Sequence, residues 1–147
     1  MKHGQTPKPR YPVGMEKLQL RTTTPRQLVR ITALVEEALD RLGIREGAVL
    51  VYSPHTTAGV VVQEGADPDV AHDLLLRLAE LAPRHHPGDR HAEGNSDAHL
   101  QTALVGNAQL IPVSAGRLAL GTWQQVFLAE FDGPRLRQVW VQPIGAG

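Results

Sequence analysis

From Asn107 onward the chain reads as four strands, NAQLIPV, GRLALG, TWQQVFLAEFD and RLRQVWVQPI, separated by glycine, proline and Asp-Gly turn signals. Connections this short join antiparallel neighbours, because a parallel pair needs a crossover of a dozen residues or more. The first half mixes periods. EKLQLRT (16–22) alternates as a strand does. In TTPRQLVRITALVEEALDRLG, Thr24 as N-cap, Pro25 at the first helical position, Gln27 closing a capping box and Gly43 as the stop predict a helix. Its stripe, Leu28, Ile31, Leu34, Val35, Ala38, Leu39 and Leu42, recurs at spacings of three and four. AVLVYSPHTTAGVVVQEG (48–65) predicts two strands broken at Ser53-Pro54, the second beginning near Thr57. Asp67-Pro68 opens a helix through about Leu81. PRHHPGDRHAEGN (83–95) has no periodicity and reads as a loop, and SDAHLQTALVGN predicts a short helix capped by Ser96 and stopped by Gly106. This order implies α+β architecture: a single compact domain, 15–147, with a mixed or antiparallel sheet sandwich and about three helices, behind a flexible arm over 1–14.

A chain of 147 residues buries roughly two thirds of its unfolded surface, enough for one core without staples. Fifteen basic and fifteen acidic side chains cancel, which removes any global field for nucleic acid or an anionic membrane surface, so an anionic ligand must be held locally. The absence of cysteine excludes disulfides, thiolate metal sites and cysteine nucleophiles. The N-terminus lacks the apolar core of a signal peptide, and no segment approaches the run of about 20 apolar residues that a membrane span needs. The expectation is a cytoplasmic protein.

The polar stretch HAEGNSDAH (91–99) concentrates side chains that bind metals or relay protons. Four of the seven histidines, 85, 86, 91 and 99, lie in this loop and the helix start after it. With Ser96 as N-cap, His99 falls in the first turn, where the positive end of the helix dipole favours an anion and a neutral imidazole, and free N–H groups suit a phosphate. Asn95 adds a polar neighbour. His55 stands at a strand break, followed by the hydroxyls of Thr56 and Thr57. Solvated loop histidines, and satisfied charges at Glu64, Asp73 and Glu130, are the competing plain readings. Trp123 and Phe127, four apart in a strand, share a face and read as core.

SPHTTAGVVVQEGADPDVAHDL, EGNSDAHLQTALVG and IPVSAGRLALGTWQQVFLAEFDGPR together resemble the YjbQ family, whose members are described as secondary thiamine-phosphate synthases. The resemblance runs from about Glu16 to Gln142. It implies a homotrimer with clefts between subunits, and a site drawn from His55, Thr56 and Thr57, from His91, Glu93, Asn95, Asp97 and His99, and from Trp123, Gln124, Glu130 and Arg135. The implied reaction joins a pyrimidine pyrophosphate to a thiazole phosphate and releases pyrophosphate, with a divalent metal or an Arg/Lys clamp on the leaving group. In that scheme His55, His91 and His99 hold the metal, zinc by their chemistry or magnesium by the reaction's. Thr56, Thr57, Asn95, Ser96, Trp123, Gln124 and Arg135 bind substrate or phosphate, and Glu93, Asp97 and Glu130 move protons. Two other readings stay open. One is a metal-dependent hydrolase of a small phosphorylated or carboxylated molecule, and the other a trimeric metal- or anion-binding protein without catalysis.

Overall fold

The computed structural model describes Gly4 and residues 14–145, so the arm expected over 1–14 lies, those two glycines apart, outside the described residues. Eight strands are found there, in two antiparallel sheets. One orders β1 (Glu16–Arg21), β8 (Leu136–Ile144), β3 (Gly47–Tyr52), β5 (Ala108–Ser114) and β6 (Arg117–Leu118); the other orders β2 (Gln27–Arg30), β7 (Gln124–Glu130) and β4 (Ala58–Glu64). Three helices, α1 (Thr32–Leu42), α2 (Pro68–Leu81) and α3 (Ser96–Val105), complete the α+β fold.

The period of two in each strand divides its side chains between two packing environments. Val49, Val51, Val139 and Val141 of the larger sheet share one core with Val60, Val126 and Leu128 of the smaller, and none of them is exposed. Helix α1 closes this core with Val35, Ala38 and Leu39; burying Val35 and Leu39 contributes about 1.5–3 kcal/mol each. The opposite face of the smaller sheet, with Leu28, Val61, Ala129 and Phe131, is covered by Leu74, Leu75 and Leu78 of α2 and Ala98 and Val105 of α3.

Local signals set some boundaries directly. Asp67 caps α2 by accepting from the Asp69 amide at 2.9 Å, with Pro68 following, and Gly43 ends α1 at φ 70°. The helix expected from Pro25 starts only at Thr32. Gln27–Arg30 instead pairs with β7 as an edge strand, and its register sets Gln27 opposite Glu130 and Arg30 opposite Phe127. Leu28 then packs under α2 and α3 while Val29 enters the sandwich core, a division onto opposite faces that a strand achieves between neighbours and a helix does not. Gln27 does reach backwards, bonding Thr23 through both ends of its amide at 3.0 Å, but this contact braces a turn. The strand expected in GRLALG shortens to Arg117–Leu118.

Three links cross from one sheet to the other at the same end of the sandwich: residues 22–26 between β1 and β2, 53–57 between β3 and β4, and 131–135 between β7 and β8. They pack closely. A Cβ on Gly133 would collide with the Thr24 carbonyl oxygen and lie 2.9 Å from Thr22 Oγ1, so only glycine lets two of the crossovers touch. The long link after α2, residues 82–95, arrives at this end too.

Candidate functional site

Strands change sheets where ladder pairing stops, so the crossovers present polar backbone and side chains that need other partners. The 53–57 link is stapled first. Asn107 Nδ2 donates to the carbonyls of Ser53 (3.0 Å) and His55 (2.7 Å), and Ser53 Oγ donates to the Ala58 carbonyl at 2.6 Å. This delivers Thr56 and Thr57 to a cleft of about 310 Å3 that is also lined by His91, Glu93, Asn95, His99, Asp132, Arg135 and Arg137. Seven residues expected in the site therefore meet here, from three separate segments of sequence.

The floor of the cleft is a buried ion pair. Glu130, fully buried, and Arg137, 4 % exposed, lie on the inward faces of β7 and β8, each continuing a row of apolar core side chains, Val126 and Leu128 on one strand and Val139 and Val141 on the other. Arg137 Nε donates to Glu130 Oε1 at 2.8 Å and its Nη2 donates to Oε2. Nη2 also donates to Thr57 Oγ1 at 2.9 Å. Thr22 Oγ1 donates to Glu130 Oε1 at 2.7 Å, and the Asp132 amide donates to Oε2 at 3.1 Å. Burial acts to raise the Glu130 pKa, but the hydrogen bonds from Arg137, Thr22 and Asp132, with the Arg137 charge, outweigh it and hold the carboxyl below its ordinary value. The sequence expectation places Glu130 among the proton-moving groups; its oxygens are instead filled by these donors, and its role is to hold Arg137. Arg137 Nη1 has no partner among the described residues and is left for the cleft.

A second carboxylate holds a second guanidinium. Asp132 Oδ2 accepts from Asn95 Nδ2 at 2.8 Å and from Arg135 Nη2 at 3.0 Å, and Arg135 Nε donates to the Asp132 carbonyl at 2.7 Å. Burial pushes the Asp132 pKa up, yet these bonds and the charges of Arg135 and Arg137 bring it below its ordinary value, so the group is an anion. Thr22 joins the two pairs, since its Oγ1 also accepts from the Arg135 amide at 2.8 Å.

The histidines divide. His91 and His99 meet edge to face, ring centres 5.4 Å apart, on the cleft wall. His55 does not join them: its Nε2 accepts from the Gln138 amide at 2.8 Å, which fixes a neutral ring protonated on Nδ1. Burial, then the Arg137 charge, lowers the His55 pKa against the opposing charge of Glu130. Among the described residues no group of three or more His, Asp or Glu side chains is placed to hold a metal ion. The residues present therefore do not fit the expected three-imidazole site within one chain, because the His55 lone pair is already used. His86 Nδ1 accepts from the Gly88 amide at 2.9 Å and His72 pairs with Asp73, while His3 lies outside the described residues.

Other expectations move as well. Ser96 is the first residue of α3, whose N-cap is Asn95, so it makes no cap. Asp97 faces a separate, smaller cavity. Trp123 and Gln124 sit at the far end of β7 from Glu130, about 20 Å away at strand rise. Gln124 Oε1 there accepts from the Gly121 amide, and Trp123, expected in the core beside Phe127, is 63 % exposed just outside the strand. Three residues of the network, Thr22, Asp132 and Arg137, are missed by the sequence reading. Arg137 carries a readable signal: in RLRQVWV it shares the inward parity of Val139 and Val141, and a charge there demands a partner.

A family profile described as UPF0047 protein YjbQ-like matches residues 16–146. The UPF0047 protein YugU of Bacillus subtilis is 47 % identical over 131 residues, covering 89 % of this chain and 99 % of its own. The UPF0047 protein MJ1081 of Methanocaldococcus jannaschii is 44 % identical, over 88 % of this chain and 93 % of its own. Among solved structures, the conserved hypothetical protein TT1486 of Thermus thermophilus superposes with a TM-score of 0.82 at 56 % identity, covering 88 % of this chain and 99 % of its own. A YjbQ/UPF0047-family protein of Clostridium acetobutylicum gives a TM-score of 0.84 at 43 % identity, with the same coverage.

Proposed function

Since the chain belongs to the UPF0047 YjbQ-like family, we propose that the crossover cleft of this fold binds a small phosphorylated anion and promotes departure of its phosphate or pyrophosphate group. The observation that carries this reading is the pair of guanidinium groups, Arg135 and Arg137, each held by its own carboxylate beside the His91–His99 pair. Glu130 is committed to protein donors and Asp132 Oδ2 to Asn95 and Arg135, so the donors the cleft offers a ligand are Arg137 Nη1, Arg135, the threonine hydroxyls and two imidazoles, beside the carboxylates of Asp132 and Glu93. Fixed donors aimed at developing negative charge are the largest single source of catalysis in many enzymes. The imidazoles and the exposed Glu93 are the groups there that would pass a proton to or from the ligand.

The specific reaction favoured by the family resemblance is thiamine-phosphate synthesis. There the C–O bond to pyrophosphate breaks with its electron pair leaving on pyrophosphate, and the thiazole nitrogen lone pair forms the new C–N bond. Arg135 and Arg137 would bind the departing group. A second reading, hydrolysis of a single small phosphorylated molecule, is favoured by the size of the cleft, since 310 Å3 lies at the lower end of the roughly 300–1,000 Å3 of ligand pockets. Pyrophosphate release from the two thiamine precursors, together and singly, tests both. Release that needs both partners and is lost in Arg135→Ala supports the synthase; release from one alone supports the hydrolase. No binding of either precursor or of inorganic phosphate sinks the anion reading.

A further inference from the structure

Two arginines do not make the crossover cleft positive. Arg137 is countered by Glu130 and Arg135 by Asp132, each in a bonded ion pair. Glu93 lines the same space, is exposed, and makes no hydrogen bond or ion pair among the described residues. Two guanidinium groups thus stand among three carboxylates, and, the imidazoles aside, the charges leave one carboxylate uncompensated. A ligand that is only an anion meets no net positive field here. One that also carries a cation meets the opposite charge at both of its ends.

The groups of the two signs are held by different segments. Arg137 Nη2 is tied to Thr57 of the 53–57 crossover at 2.9 Å, while Nη1 has no partner among the described residues. The unpartnered side-chain atoms sealed from solvent there are Arg26 Nε, Glu64 Oε2, Asn95 Oδ1 and Thr102 Oγ1. Arg137 Nη1 is not of that group, so it reaches solvent, and it belongs to a residue that lines the cleft. Glu93 sits on the 82–95 link between two anchors. On one side the Gly94 amide donates to the His91 carbonyl at 3.1 Å, a tight turn that puts Gly94 at φ 70°. On the other, Asn95 Nδ2 bonds Asp132 Oδ2 at 2.8 Å. The backbone that carries Glu93 is therefore fixed beside Asp132, and the uncompensated charge has a set place on the cleft wall.

We propose that the molecule taken by this cleft is dipolar: a phosphate held by Arg135 and Arg137 Nη1, joined by a short linker to an ammonium group that donates to Glu93. The phosphate half rests on the anion reading given above. The ammonium half rests on the charge balance and on the placement of Glu93. A short linker follows from the volume of about 310 Å3, which suits a small molecule.

The test is calorimetric titration of the full-length protein at neutral pH, metal ions removed with a chelator, using inorganic phosphate, propyl phosphate and 2-aminoethyl phosphate. The two esters are isosteric and differ by a methyl group against an ammonium. All three should bind, 2-aminoethyl phosphate about five-fold more tightly than propyl phosphate, the worth of a well-placed pair that solvent still reaches. Glu93→Gln keeps the size and an acceptor but loses the charge, and should bring that ratio below about two. Glu93 bonds to nothing else among the described residues, so the variant keeps the fold. Phosphate binding with a ratio near one in the parent overturns the ammonium half and leaves the anion reading intact. A ratio unchanged in Glu93→Gln overturns the placement of the ammonium group, and the proposal with it. No binding of any of the three overturns both readings.

Discussion

Replacing Glu130 by glutamine separates a structural carboxylate from a catalytic one. Glu130 is fully buried against an Arg137 that is 4 % exposed, so removing the negative charge leaves a guanidinium in the interior without its counter-ion. Breaking a buried pair in this way costs about 3–5 kcal/mol, against about 1 kcal/mol for loss of one ordinary hydrogen bond. For a domain whose stability is about 5–15 kcal/mol that loss is large, and with a urea dependence of about 2 kcal/mol per molar it lowers the unfolding midpoint by roughly 2 M. Replacing both partners by apolar side chains of similar volume, Glu130→Leu with Arg137→Met, removes the stranded charge and should recover most of the stability. It should not recover ligand binding, because the Arg137 donor is gone. Urea unfolding at fixed protein concentration of the parent, Glu130→Gln, Glu130→Leu, Arg137→Met and the double variant, with phosphate titration of the parent and the double variant, checks this together. A midpoint for Glu130→Gln within about 0.5 M of the parent, or a double variant as unstable as its two single changes summed, would refute the buried-pair energetics. Undiminished phosphate affinity in the double variant would refute the role given to Arg137.

Thr22→Val removes the donor to Glu130 Oε1 and the acceptor of the Arg135 amide, and should cost about 1–3 kcal/mol in urea unfolding while weakening phosphate binding. His55 has a native pKa below its ordinary 6.5, so the unfolded chain takes up a proton that the native chain refuses as pH falls through that value. Its contribution to stability is thus present above 6.5 and is lost as pH falls below it, and His55→Gln should flatten the fall of the urea midpoint on the acid side of 6.5; an unchanged slope overturns the assignment. Zinc retained in equilibrium dialysis should depend on His91 and His99 but not on His55, and loss of zinc in His55→Ala would restore the three-histidine expectation. Light scattering tests the homotrimer expected from the resemblance, for which the mass should be three times the 16.0 kDa chain.

Much of the fold is legible because its signals are local. Asp67, Pro68 and the apolar set of α2 lie within one segment and specify that helix through its own caps and period. Segment 24–30 misleads for the complementary reason: it carries cap-like residues, but the unpaired edge of β7 recruits it as a strand, and no residue within the segment encodes that demand. HAEGNSDAH is readable as chemistry, and His91, Glu93, Asn95 and His99 do share a cleft. The partners of that chemistry are less readable, because a carboxylate at 130 looks the same on paper whether it faces solvent or an arginine seven residues on. His55 and Trp123 show the same limit from opposite sides, one expected at a metal and found bonded to the β8 backbone, the other expected in the core and found exposed.

The α+β class, antiparallel pairing at the C-terminal end and the boundaries of α2 all follow from the sequence by itself, since periodicity, caps and turns act over neighbouring residues. Which side chains face one another was decided only by the tertiary structure. Three crossovers and the 82–95 link at one end of a two-sheet sandwich bring residues 22, 57, 95, 132 and 137 together across more than a hundred positions, and the cost of burying their charges unpaired dictates which of them bond.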